Sequence, residues 1–192
     1  MNVLTIDVDY AFSPSISAYD DFVIGSRISY ENQKKILIDK GCETTKINKS
    51  KFNNISKVFK KVSYNTKIIT VTHHHEILKH IPHDKDIFLQ NIDHHHDIFY
   101  PGWHNLEILD EGNWVHHLAK TSRLKKYMWF RNKDSESFCN CIDLNFDFCQ
   151  KFDLKVEDIV RPDIIILCSS PHWTFDSGDA LVKKLLEGLD VD

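Results

Sequence analysis

The sequence predicts an α/β protein, a three-layer αβα sandwich built on a mainly parallel sheet. Short apolar runs rich in β-formers recur along the chain, as in Val3-Leu4-Thr5-Ile6 and Asp163-Ile164-Ile165-Ile166-Leu167-Cys168. Continuous apolar runs mark strands buried on both faces, which a parallel sheet between helices requires. The runs alternate with segments of helical period, and polar residues follow the strands.

Taken in order, the strand at Val3–Ile6 leads at once into Asp7 and Asp9. Phe52, Ile55, Val58, Phe59 and Val62 recur at helical spacing and predict an amphipathic helix over 48–62. Lys67–Thr72 reads as a second strand ending in His73-His74-His75, and Asp86–Ile92 as a third ending in Asp93. After a loop with Pro101-Gly102, Gly112 to Leu124 reads as helix and Tyr127–Phe130 as strand, while 132–143 is polar and carries no periodic signal. Asp163–Cys168 is the strongest strand signal, and Asp179 to Leu189 a closing helix that Ser177 or Asp176 can cap. The length fits one domain over 1–192.

Composition narrows the function classes. A net charge of -4 offers no basic surface for nucleic acid or anionic lipid. No apolar stretch is long enough to span a bilayer, and Met1–Asp7 is no signal peptide. The five cysteines Cys42, Cys139, Cys141, Cys149 and Cys168 lack the spacing of a structural zinc site and read as reduced thiols of a cytoplasmic protein.

Ligands of parallel α/β sheets bind at the C-terminal strand edge. Asp7, Asp9, His73–His75, Asp93–Asp97 and His172 all follow predicted strands, so four polar sets are expected to meet there. Histidine is the skewed residue: of the 12, all but His172 lie between His73 and His117. In Asp93-His94-His95-His96-Asp97 a persisting strand would turn residues 93, 95 and 97 to one side. Two carboxylates and one imidazole without thiolate suit Mn²⁺, and also Zn²⁺ or Fe²⁺. Asp7-Val8-Asp9 adds a carboxylate pair that a cation would neutralise, and only one of His73-His74-His75 need reach the metals. The rest can line the cleft or orient neighbours.

Asp93-x-His95-x-Asp97, Asp7-x-Asp9 and an upstream strand-end histidine together resemble the arginase/ureohydrolase superfamily. The run from Asp7 through Pro14 is similar to that family's Asp-Val-Asp-Gly stretch. The Asp-x-Asp motif precedes the others, a permuted order in a short chain that resembles the small atypical peptide arginases, as does His74-His75-Glu76-Ile77-Leu78 with Ile92–Asp97. The resemblance implies two Mn²⁺ ions bridged by Asp93 and one of Asp7 or Asp9. His74 (or His75), His95 and Asp97 complete their shells. It also implies attack of a metal-bridging hydroxide on arginine side chains of a precursor peptide, giving ornithine and urea. Gly112-Asn113-Trp114-Val115-His116-His117 resembles the Gly-Asn-x-His stretch of the proton-shuttling histidine, implying His116 or else His117. Asn113 and His172 are candidate substrate contacts, and Glu111 or Glu76 a candidate guanidinium-binding acid.

Two other readings stand beside this one. Asp93-His94-His95 resembles the Asp-His-His signature of a phosphodiesterase and pyrophosphatase family, although Asp7-Val8-Asp9 lacks that family's preceding Asn-Pro. A non-catalytic metal-binding module would instead use Trp103, Trp114, Trp129 and Trp173 as a partner face.

Overall fold

A computed structural model describes residues 1–12, 32, 35, 47–100, 105–133, 135, 137–138, 142–174 and 177–189. The expectations for Ser13-Pro14, Cys42, Pro101-Gly102, Trp103, Cys139, Cys141 and Asp176 lie outside the described residues.

Six strands form one sheet in which every pairing is parallel. They are β1 (Asn2–Asp7), β2 (Lys67–Val71), β3 (Ile87–Ile92), β4 (Leu124–Phe130), β5 (Asp147–Lys151) and β6 (Ile164–Cys168). Their order is β2-β6-β1-β3-β4-β5, so the first strand is interior and the last in sequence returns beside it. Register sets the site: Asp7 stands opposite Cys168, Cys168 opposite Val71, and Ile6 opposite Ile92. Neighbouring strands therefore stop at one level, and the residues after them share one edge.

Side-chain alternation divides the core into two faces. Leu4, Ile6, Ile165 and Leu167 pack with Ile55 and Phe59 of α1 (Lys49–Val62) and Leu181 and Leu185 of α4 (Ser177–Glu187). Val3, Leu89, Ile164 and Ile166 pack on the other side with Trp114, Val115 and Leu118 of α2 (Trp114–Lys120). Helices thus cover both faces, the predicted three layers. A short α3 (Pro171–Thr174) follows β6.

Local chemistry sets the element ends. The Asn48 carboxamide accepts from the amides of Ser50 and Lys51, both at 3.1 Å, and caps α1 where the apolar period begins. Helix α2 is shorter than the predicted 112–124, because Ser122 takes a left-handed φ of 60° and turns the chain into β4. Strand β5 was not expected: it is a half-exposed edge strand without an apolar run. Helix α4 begins at Ser177 rather than Asp179, and its first turn lies against the end of β6, where a Cβ on Gly178 would come within 2.0 Å of the Ser169 carbonyl oxygen.

Beyond β2 the chain enters a 3₁₀ helix, His74–Lys79, instead of staying extended. Glu76 fixes that corner, its carboxylate accepting from the amides of Thr72 (3.2 Å) and His73 (3.1 Å). The His73 amide is the main cause that holds the Glu76 carboxyl down at about 2, against an ordinary 4.5. A depressed carboxyl contributes stability above the unfolded value and loses it as pH falls towards the folded one. Glu76→Gln is therefore expected to destabilise the fold by about 1 kcal/mol at neutral pH. In urea unfolding the gap to wild type should narrow as pH is lowered from 5 towards 3.

Candidate metal centre

Each candidate ligand sits at the end of a strand or in the chain just past one. Asp7 ends β1 and accepts from the amide of Asp9 at 3.0 Å, which tightens the 3₁₀ turn Val8–Ala11 and folds Asp9 back over the sheet edge. After β3 the strand does not persist: the chain bends at residues 93–95, and Asp97 has a φ of 50°. Asp93, His95 and Asp97 still converge, through a turn rather than a pleat. Two hydrogen bonds from backbone amides hold that turn, His95 N–H donating to Asp93 Oδ1 (2.8 Å) and His94 N–H to Asp9 Oδ1 (3.2 Å).

The result is a buried cluster centred on Asp93. His74 Nδ1 lies 2.7 Å from Asp97 Oδ2, 3.1 Å from Asp93 Oδ2 and 3.3 Å from Asp7 Oδ2. On the other side His95 Nδ1 lies 2.9 Å from Asp9 Oδ2 and 3.8 Å from Asp93 Oδ1. Asp93 thus gives one oxygen to each side. Asp7, His74 and Asp93 form one group with ligand atoms within 4.8 Å of one another, and Asp9, Asp93 and His95 a second. Bonds of about 2.1 Å put neighbouring donors roughly 3.0 Å apart in an octahedron and 3.4 Å in a tetrahedron. The separations around His74 fall near that range, and the donors are hard oxygens with imidazole nitrogen, so the residues fit a divalent cation. They could hold a metal ion.

Surrounding groups orient the ligands. Ser170 Oγ donates to Asp7, from a residue with a left-handed φ of 44°. Asn91, fully buried inside β3, donates to Asp93 (3.0 Å) and accepts from Thr5 Oγ1 (2.5 Å). Trp114 Nε1 donates to Asp97 at 2.6 Å and Trp129 Nε1 to the Asp93 carbonyl at 3.1 Å. Both indoles are fully buried, so neither belongs to an exposed partner face. Trp173 packs on His95 with ring centroids 4.3 Å apart. Of these supports only the polar Asn91 within an apolar strand, and Ser170 just past one, left a signal in the sequence.

Burial raises the carboxyls of Asp7 and Asp9, and neighbouring carboxylates raise them further against the opposing pull of His74 on Asp7 and His95 on Asp9. Asp97 is pushed up to about 7 by burial and then by Asp93. Burial would raise Asp93 too, but the imidazoles of His74 and His95 on either side hold it below the usual carboxylate range. Burial works against the charge on His95, yet Asp9 and Asp93 bring its imidazole up to about 10. Four carboxylates around two imidazoles leave surplus negative charge. Among the described residues no Lys or Arg pairs with Asp7, Asp9, Asp93 or Asp97.

The remaining candidates divide. Of His74 and His75, His74 is the one among the carboxylates, while His75 stacks on His73 with centroids 5.9 Å apart. Glu111 lies between His73 and His172. Asn113 serves its own loop, accepting from Asp110 N–H (2.9 Å) and donating to the carbonyls of Asn105 (3.0 Å) and Ile108 (2.7 Å). The shuttle expected at His116 or His117 is not brought to the cluster: α2 buries Trp114, Val115, Leu118 and Ala119, and both histidines fall on its other side. Their charged neighbours are Lys120 and Glu107, with Asp110 also beside His117.

No family model, no curated protein and no solved structure matches this chain, so the site is read from its own geometry.

A divalent ion taken up by the cluster must displace protons, since His95 is protonated below about 10 and Asp97 below about 7. Calorimetry in buffers of different ionisation enthalpy should detect proton release at pH 7, with affinity falling as the pH is lowered. Saturating metal is expected to raise the melting temperature by roughly 5–10 °C, and Asp93→Asn to reduce that rise.

Proposed function

We propose that this chain is a binuclear metal-dependent hydrolase that converts arginine side chains of a peptide to ornithine, releasing urea. The observation that carries the reading is Asp93 shared between two carboxylate–imidazole groups at one strand edge. Asp7, His74 and Asp97 would hold one ion with Asp93, and Asp9 and His95 the other. Mostly oxygen donors with one imidazole per ion favour Mn²⁺. When bound, the ions would supply Lewis acidity and lower the pKa of a water positioned for attack on the guanidinium carbon.

The chain's own residues act on charge and orientation. Asp93, kept ionised by two imidazoles, stands ready as a bridging ligand without first losing a proton. Trp114 beneath Asp97 and Trp173 over His95 hold those ligands in place and limit water around them. Among the described residues no Lys or Arg pairs with the four carboxylates, so this edge suits a cationic guanidinium better than an anionic phosphodiester. The peptide substrate follows from the resemblance of Asp7-Val8-Asp9, placed ahead of the other two motifs, to the peptide arginases.

The test is mass spectrometry of arginine-containing peptides incubated with Mn²⁺-loaded protein. The expected outcome is loss of the elements of cyanamide (CN₂H₂) from the arginine residue, absent with Asp93→Asn. Unchanged peptide masses together with cleavage of phosphodiesters would overturn the reading in favour of a two-metal phosphoesterase.

A further inference from the structure

We propose that His73, Glu111 and His172 form a second, separate metal site, a zinc site on the rim of the cleft that ties the loop before α2 to the sheet. The three residues come from distant parts of the chain: the end of β2, the turn leading into α2, and α3 just past β6. Their ligand atoms lie within 4.8 Å of one another. Both imidazoles aim Nδ1 at the same carboxylate oxygen, His73 at 2.5 Å and His172 at 3.3 Å from Glu111 Oε1, with ring centroids 5.1 Å apart. Stacked on His73 is His75, whose own Nδ1 is buried with no hydrogen-bond partner. A further nitrogen donor thus stands beside the trio.

Donor chemistry separates this site from the Asp93 cluster. Two imidazoles and one carboxylate make a nitrogen-rich set of the kind zinc accepts with a fourth position open. The Asp93 cluster is oxygen-rich, and the two share no ligand. Access differs as well: the side chains of His73, Glu111 and His172 are 32%, 19% and 13% exposed, whereas those of Asp93 and His74 are 1% and 3%. An ion at the rim would therefore exchange with solvent more readily than one held at the Asp93 cluster. Glu111 would be committed to zinc and not to a guanidinium group. The assignment is independent of the reaction catalysed at Asp93.

The test is the zinc content of metal-stripped protein re-equilibrated with Zn²⁺ and desalted, measured for wild type, Glu111→Gln, His172→Asn and Asp93→Asn. Circular dichroism confirms that each is folded. Glu111→Gln, which keeps side-chain shape, and His172→Asn should each bind one zinc ion fewer than wild type. Asp93→Asn should still bind the rim ion, and zinc should raise its melting temperature; adding Glu111→Gln to Asp93→Asn should remove that rise. Undiminished zinc content in Glu111→Gln overturns the proposal, whichever reaction the Asp93 cluster performs. Should one rim variant fail to fold, the zinc content of the other decides.

Discussion

Mutual repulsion of the carboxylates of Asp7, Asp9, Asp93 and Asp97 is the constraint around which this edge of the sheet is organised. All four are nearly inaccessible to water. At the separations found within each group, two ionised carboxylates repel by about 3–4 kcal/mol in a medium of effective dielectric near 20. A fold that collects such charges must neutralise them, protonate them or bond them. Two imidazoles, the Ser170 hydroxyl, the Asn91 amide, the Trp114 indole and several backbone amides do so in part. The left-handed backbone at Asp97 and Ser170 is a further cost accepted in the same place. Strain and partly neutralised charge are thus concentrated at one edge, where the buried Asp and His groups could hold a metal ion.

Strand order explains why these residues meet. The four adjacent strands β2, β6, β1 and β3 lead respectively into His74, Ser170, Asp7 and Asp93. Their ends are in register, so residues distant in sequence become neighbours. The chain leaves β1 on one side, passes through β2, and returns through β3 on the other side of β1. This opens a crevice at the interior strand, the usual place for a ligand in open parallel sheets.

The interior strands and α1 were legible in the sequence because burial on two faces, or on one helical face, leaves a periodic trace. Strand β5 was not, because an edge strand with half-exposed side chains reads as loop. Within the site, Asp7, Asp9, His74, Asp93, His95 and Asp97 were legible as ligand types placed after strands. The indoles of Trp114 and Trp129 were not, since nothing in the chain separates an aromatic that fills the core from one that also donates to a carboxylate or its carbonyl. His116 shows the limit from the other direction. A local motif pointed to it, but the rotation of α2 is set by the apolar side chains it buries, and these turn residue 116 away.

The two triple-histidine runs follow one rule. A strand that continued would send alternate side chains the same way, placing His73 and His75 together and His94 and His96 together. Instead both runs bend, and each delivers one imidazole to the carboxylates. In the first, a 3₁₀ turn of about three residues per turn splays consecutive side chains widely. His74 goes to the cluster, while His73 turns to Glu111 and His75 stacks on His73. In the second, His95 meets Asp9, His94 pairs with Asn132, and His96 accepts from the Ile98 amide and stacks on Tyr100. Histidine richness here is therefore not ligand richness at one centre. The bends that select one histidine per run send the others into the walls and rim, and His73 reaches the rim because His74 is already committed to the buried carboxylates.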